Sequence, residues 1–433
     1  MSGALSGLLV ADFSRVLAGP YATMLLADLG ADVVKVERPG SGDDTRAWGP
    51  PYAGGEATYY LGVNRNKRSI ALDLKADVEV ARALAARADV LVENFKPGTM
   101  ERLGLGYEEL RALNPGLVYC SITGFGSGDG AGLPGYDLIA QAVGGLMSVT
   151  GEVDGPGTKA GVALVDVITG LHAALGILAA LHHRDQTGHG GHIGDAHSSG
   201  GVGSPGDARL PDGIGSSSDA RLSEDAHSAR DARFSDGGRS LGGGRAAGVG
   251  QRVEVSLLSS LLSALTNHAS AYAAAGVVPQ AMGNRHPSIV PYEVFQAADR
   301  PIVIAAGNDR QFQALCAALD RPDLAGDVRY ATNAGRVAAR EPLVTDLNAA
   351  LATRTADEWF ERLTAAGVPC GPINDLAAAF ALAERLGLEP AIELDGVGQV
   401  TNPLRLSATP PAYRRPPPAL GQDEAWVREI LGR

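Results

Sequence analysis

The feature that most constrains this chain is an alternation of two periods through its first 125 residues. Short apolar runs of the buried-strand type occupy residues 8–12, 32–37, 69–74, 90–95 and 117–123. Between them lie stretches with helical spacing at 21–29, 77–87 and 107–113, the first closed by Gly30. Strands that alternate with helices predict a parallel, doubly wound sheet and an α/β fold. At roughly 150 residues per domain, the 433 residues suit two or three domains.

Residues 163–184 carry the longest helical pattern of the first half. Leu164, Ile168, Leu171, Leu175 and Leu178 form a bulky apolar stripe, and Asp166, Thr169, Gly170, Ala173 and Ala180 form the opposite face. Small residues on that face predict a closely packed neighbour, so the helix is expected to be covered on both sides. Residues 191–250 break the pattern. They are rich in Gly and Ser, poor in large apolar side chains, and repeat Asp-Ala-Arg at 207, 219 and 231. Twelve residues is too short a period for a solenoid unit, and such a composition cannot offset ordering entropy, so a disordered insertion is expected. A regular pattern returns with a strand at 253–257, a helix at 257–275, a strand pair at 292–296 and 301–306, and helices at 309–319, 341–351 and 355–366. The proline-rich end is expected to run extended over the surface.

Charge and cysteine content exclude some functions. With 37 Lys+Arg against 49 Asp+Glu the net charge is −12. That argues against nucleic acid, whose binding relies on cations neutralising phosphate, and against an anionic membrane surface. No signal-peptide pattern or run of 18 uncharged apolar residues is present, and three dispersed cysteines fit a reducing, cytoplasmic setting.

Several residue types carry potential chemistry. Asp166 falls in the first turn of the long helix, where the dipole favours the ionised carboxylate. Position alone leaves it as either a reactive group or an Asp that stabilises a helix start. No His or Cys pairing has zinc-ligand spacing, so no metal site is expected. No G-x-S-x-G elbow, correctly spaced G-x-G-x-x-G or Walker-type lysine occurs. Arg38, Lys75 and Lys96 follow strand ends and Arg102 comes shortly after. Ligands of open α/β sheets bind at that edge, and cations there suit a phosphorylated ligand.

Six ordered motifs carry a resemblance. They are Asp12-Phe-Ser-Arg-Val-Leu-Ala-Gly-Pro20, Gly30-Ala-Asp-Val-Val-Lys-Val-Glu37, Asn66-Lys-Arg-Ser69, Val92-Glu-Asn-Phe95, Gly135-Tyr-Asp137 and Gly283-Asn-Arg-His-Pro287. Over nearly the whole chain except 191–250, this resembles the class III CoA-transferases, which include formyl-CoA, carnitine, succinyl-CoA and benzylsuccinate CoA-transferases. The resemblance implies that Asp166 is a covalent nucleophile toward acyl-CoA thioesters, through an aspartyl anhydride and an aspartyl-CoA thioester. It implies a CoA site at Arg38, Leu72, Lys75, Asn94, Phe95 and Arg102. A CoA thioester is then a co-substrate, a carboxylic acid the acceptor, and no tightly bound cofactor is needed.

The resemblance also implies a Rossmann-like large domain built from both chain ends, a smaller central α+β domain and an interlocked homodimer. The corresponding boundaries are 1–190 for the first part of the large domain, 191–250 for the insertion, 251–330 for the small domain and 331–433 for the return. Leu17 replaces the Gln of formyl-CoA transferases, and the Gly-Asn-Arg-His-Pro motif replaces their glycine run. These departures point away from oxalate and formyl-CoA and toward succinyl-CoA or another dicarboxylyl-CoA. Tyr136 and either Arg285 or His286 are the expected substrate contacts, the latter two toward a distal carboxylate. Two alternatives remain. One is an α-methylacyl-CoA racemase, although Tyr136 stands where those enzymes carry a catalytic His. The other is an inactive paralogue retained as a binding protein.

Overall fold

The computed structural model describes residues 3–188 and 248–432. The expected insertion at 191–250 therefore lies outside the described residues except for its last three. Among the described residues, one parallel sheet is built from β1 (Leu9–Asp12), β2 (Asp32–Glu37), β3 (Lys67–Ala71), β4 (Val90–Glu93), β5 (Val118–Thr123) and β6 (Arg252–Ser256). Its order is β3-β2-β1-β4-β5-β6. The chain winds outward from β1 in one direction and, after β3, in the other. The reversal between β1 and β4 opens a crevice at the carboxyl ends of the strands.

Continuous apolar strands suit this sheet because both of its faces are covered. Ala11, Val34, Val36, Ile70 and Leu91 face one layer, which includes α2 (Val78–Arg87), α3 (Tyr107–Leu113) and the C-terminal helix Glu424–Ile430. Val10, Val33, Val90, Val92 and Val118 face the other, formed by α1 (Ala18–Asp28) and the long helix. Successive strand residues point to opposite faces, so Val10 and Ala11 enter different cores.

Next come α4 (Asp137–Val143), the long helix α5 (Leu164–Gly188) and α6 (Leu257–Ala264). The helix expected at 257–275 is in fact two, with a second piece at Thr266–Ala275 beginning at a residue with φ of 37°. Packing of α5 differs from expectation. Its small-residue face is the core face: a Cβ at Gly170 would lie 2.6 Å from the Ala18 carbonyl oxygen on α1. The bulky stripe is partly open in the single chain, with Leu171 46% and Leu175 65% exposed. Close approach of two helix backbones needs the small residues inside, which turns the leucines outward.

By length and hydropathy the 25 residues of α5 would suit a membrane span, although Asp166 and Arg184 keep any run in it short of 18 uncharged residues. In the fold they form a core helix, whose Arg184 pairs with Asp89 at 2.9 Å.

A second core surrounds a small antiparallel sheet of β7 (Tyr292–Gln296), β8 (Pro301–Ala305) and β9 (Cys370–Pro372), in the order β9-β8-β7. Its buried residues run from Val290 to Val368. The division at 251 and 330 therefore does not match the cores: β6 pairs with β5 in the large sheet, and the second core continues well past 330. Beyond it the chain returns to the first unit. Ala412 N–H donates to the Asp28 carbonyl at 2.8 Å, and the Asp423 carboxylate accepts from Ser69 N–H at 3.0 Å.

Candidate active site

A cavity of about 860 Å3 occupies the crevice at the sheet reversal. Segments following β1, β2, β3 and β4 enclose it because parallel strands all deliver their carboxyl ends to the same edge. Arg38, Leu72, Lys75, Phe95 and Arg102 are among its lining residues. Among the described residues, Arg38, Lys75 and Arg102 have no acidic side-chain partner, whereas the deeper Glu37 is bound by Arg46 at 2.8 Å. Unpaired cations around an apolar floor of Leu72, Leu74 and Phe95 suit a ligand that joins phosphates to an apolar body.

Asn94 differs from the other five expected contacts. Its side chain does not line the cavity; it accepts from Arg15 N–H at 3.0 Å and donates to the Arg15 carbonyl at 2.7 Å. The sequence signal for Asn94 was its place in the Val92–Phe95 motif, which does not distinguish ligand contact from loop support.

Asp166 is partly buried in the first turn of α5. The helix start is already occupied. Asp137 accepts from Val165 N–H at 2.8 Å and Asp166 N–H at 3.2 Å, while Gln141 donates to its other oxygen at 2.6 Å. Burial, and then the negative Asp137, push the Asp166 carboxyl up to about 7. This reverses the expectation that the helix dipole would favour ionisation, because desolvation and a like charge outweigh a dipole end another carboxylate already holds. An anion formed here is poorly solvated and basic, properties that favour nucleophilic attack.

Tyr59 is the neighbour that sequence reading missed. Its hydroxyl is pushed up to about 12 by burial and then by the charges of Asp166, Asp137 and Asp43, so it stays neutral within their electrostatic reach. Trp48 packs edge-on against the Tyr59 ring, with centroids 5.3 Å apart. Neither residue belongs to a motif that marks it out, and only the fold brings Tyr59 within electrostatic reach of Asp166.

The expected substrate contacts are more dispersed. Tyr136 immediately precedes α4 and is 62% exposed. Arg285 pairs with Glu341 at 2.7 Å and lies 3.5 Å from Glu293. His286 is held below its usual value by burial, then by Arg340 and His268, so it is neutral at pH 7. Neither is a free cation as placed here, contrary to the charge-based expectation. Among the described residues none of the three hydrogen-bonds to Asp166.

Comparison with known proteins agrees with this architecture. The sequence profile described as CoA-transferase family III matches residues 5–201 and 241–424. The chain is 38% identical over 436 residues to succinyl-CoA:glutarate CoA-transferase of Mus musculus, covering 99% of this chain and 86% of that one. It is 40% identical over 442 residues to succinate–glutarate CoA-transferase of Agrobacterium fabrum, covering 98% and 94%. Acetyl-CoA:oxalate CoA-transferase of Acetobacter aceti is 37% identical over 432 residues, with 99% and 95% covered. A solved CAIB/BAIF family protein from Brucella suis superposes with a TM-score of 0.78 at 36% identity and covers all of both chains. Fold and relatives together define an α/β enzyme of group transfer. The chain belongs to CoA-transferase family III and is an acyl-CoA:carboxylate CoA-transferase.

Proposed function

We propose that this enzyme exchanges CoA between dicarboxylic acids, with succinyl-CoA as a donor and Asp166 as the covalent nucleophile. The observation that carries the reading is Asp166 itself, a partly buried carboxylate at a helix start whose free N–H groups Asp137 already takes. The names of the Mus musculus and Agrobacterium fabrum relatives support the dicarboxylate class. The Acetobacter aceti relative keeps oxalate among the acceptors to be tested, against the expectation drawn from Leu17.

An Asp166 oxygen attacks the thioester carbonyl, the C–S bond breaks, and CoA leaves as thiolate, giving a mixed anhydride. The thiolate attacks the Asp166 carbonyl and releases the donor acid as a carboxylate. The acceptor carboxylate attacks the aspartyl-CoA thioester and again expels thiolate. Attack of that thiolate on the acceptor's acyl carbon frees Asp166. No net proton or electron is exchanged, and the thioester free energy is retained.

Arg38, Lys75 and Arg102 would meet the CoA phosphates, while Leu72 and Phe95 would meet its apolar parts. Asn94 supports the loop between them. The open leucine face of α5 supports a homodimer, and three unpaired cysteines support a reducing, cytoplasmic setting. Racemisation gains no support from the site: Tyr136, where an acid/base His would be needed, points largely to solvent.

The test is intact-protein mass spectrometry after mixing with succinyl-CoA, followed by hydroxylamine trapping. A modification mapped to Asp166 and absent from Asp166→Ala is the expected result. Turnover without any trapped adduct in wild type would overturn the covalent route.

A further inference from the structure

The segment Ser14–Val16 is gripped along its backbone by side chains from separate strands. Ser14 N–H donates to Asp12 at 3.0 Å, and the Ser14 carbonyl accepts from Lys35 Nζ at 3.0 Å. Arg15 N–H and its carbonyl are both held by the Asn94 amide, at 3.0 and 2.7 Å. Val16 N–H lies 3.2 Å from both oxygens of Asp43. Five consecutive backbone polar groups are thus bound by four side chains: Asp12 ends β1, Lys35 lies within β2, Asp43 stands in the loop after β2 and Asn94 immediately follows β4. Lys35 and Asp43 pair at 2.8 Å with each side chain only 1% exposed, and Thr45 donates to Asp43 from N–H and Oγ1 at 3.0 and 2.8 Å.

This grip holds an uncommon backbone. Val16 has φ of 70°, a left-handed conformation costly for a β-branched residue, which persists only where surrounding contacts over-determine it. The segment joins two parts of the site. Ser14 and Arg15 wall the cavity. Two residues beyond Val16 begins α1, whose Ala18 carbonyl presses on Gly170, one helical turn from Asp166.

We propose that Lys35, Asp43 and Asn94 are positioning residues that hold the Ser14–Val16 segment, with Val16 left-handed, and thereby keep the acyl-CoA cavity in register with Asp166. This rests on the covalent reading of Asp166, but the grip itself has a separate readout. Misplacement of a reacting group by an ångström can cost on the order of 100-fold in rate, so the effect belongs in kcat rather than in CoA affinity.

The experiment compares wild type with Asp43→Asn, Asn94→Ala and the double variant Asp43→Asn with Val16→Gly. Three quantities are measured: amide exchange at Arg15 and Val16, the rate of Asp166 acylation by succinyl-CoA, and the Kd for CoA. Expected are faster exchange in both single variants, acylation and kcat slower by roughly 10- to 100-fold, and a Kd within about threefold of wild type. Glycine adopts positive φ without strain, so Val16→Gly should recover part of the rate lost in Asp43→Asn, which a general loss of stability would not allow. Unchanged exchange at Arg15 and Val16 would overturn the grip. Acylation at the wild-type rate, or a rate loss matched by an equal loss of CoA affinity, would overturn its positioning role. Absence of acylation in wild type would instead remove the covalent reading, with the exchange data still deciding whether the grip exists.

Discussion

Two aspartates at the start of one helix divide its chemistry. Asp137 takes the free N–H groups of Val165 and Asp166, and Asp166 is left with the cost of burial and a neighbouring negative charge. In the proposed covalent route the ionised form attacks, so acylation of Asp166 should rise with pH through about 7, as quench-flow at a series of pH values would show. Asp137→Asn keeps an acceptor for the helix N–H groups and removes the charge. The acylation midpoint should therefore move acidward, yet stay above the usual carboxylate range because burial is the larger cause. Stability should run the opposite way. Raised above its unfolded value, the Asp166 carboxyl contributes most below about pH 4, and that contribution is lost as pH climbs through about 7. Asp166→Asn should thus be inactive yet more stable than wild type at pH 8, by roughly 1 to 3 kcal/mol. Denaturant titration should show that difference vanishing near pH 4.

The long helix α5 shows how one element serves core and site together. Its glycines are not equivalent. A Cβ at Gly170 would meet the Ala18 backbone oxygen at 2.6 Å, which neither helix can relieve without shifting. A Cβ at Gly176 would meet only the end of the Val253 side chain at 2.7 Å. Gly170→Ala should therefore cost about 1 to 3 kcal/mol in thermal or chemical denaturation, with Gly176→Ala costing clearly less. Gly170→Ala should also slow acylation, since it separates α1 from the turn that carries Asp166. The strand and helix periods of the first 125 residues were legible because each strand is buried on both faces and reads as a short apolar run. The outward turn of the α5 leucines was not legible. An apolar stripe signals burial, but which face meets the monomer core depends on how closely the neighbouring backbone approaches.

At the scale of the whole molecule, the open leucine face of α5 is the surface on which the proposed homodimer is to be tested. Leu175→Glu should leave the fold of the chain intact, because Leu175 is exposed in it, and should shift sedimentation of refolded protein toward a monomer, since an interlocked pair forms only as the chains fold together. A variant that sediments like wild type would place the interface elsewhere. By itself the sequence determined the parallel α/β class, the cationic edge of the sheet and, through its ordered motifs, the family in which Asp166 is the expected nucleophile, since these depend on local periodicity and chain order. Only the tertiary structure decided that Asn94 supports a loop, that Asp137 takes the N–H groups at the start of the Asp166 helix, that Arg285 is paired with Glu341, and that the second core runs on to Val368. Each of these depends on which side chains distant in sequence become neighbours. Burial and like charge then reset the proton affinity of Asp166, against what its helix position implied.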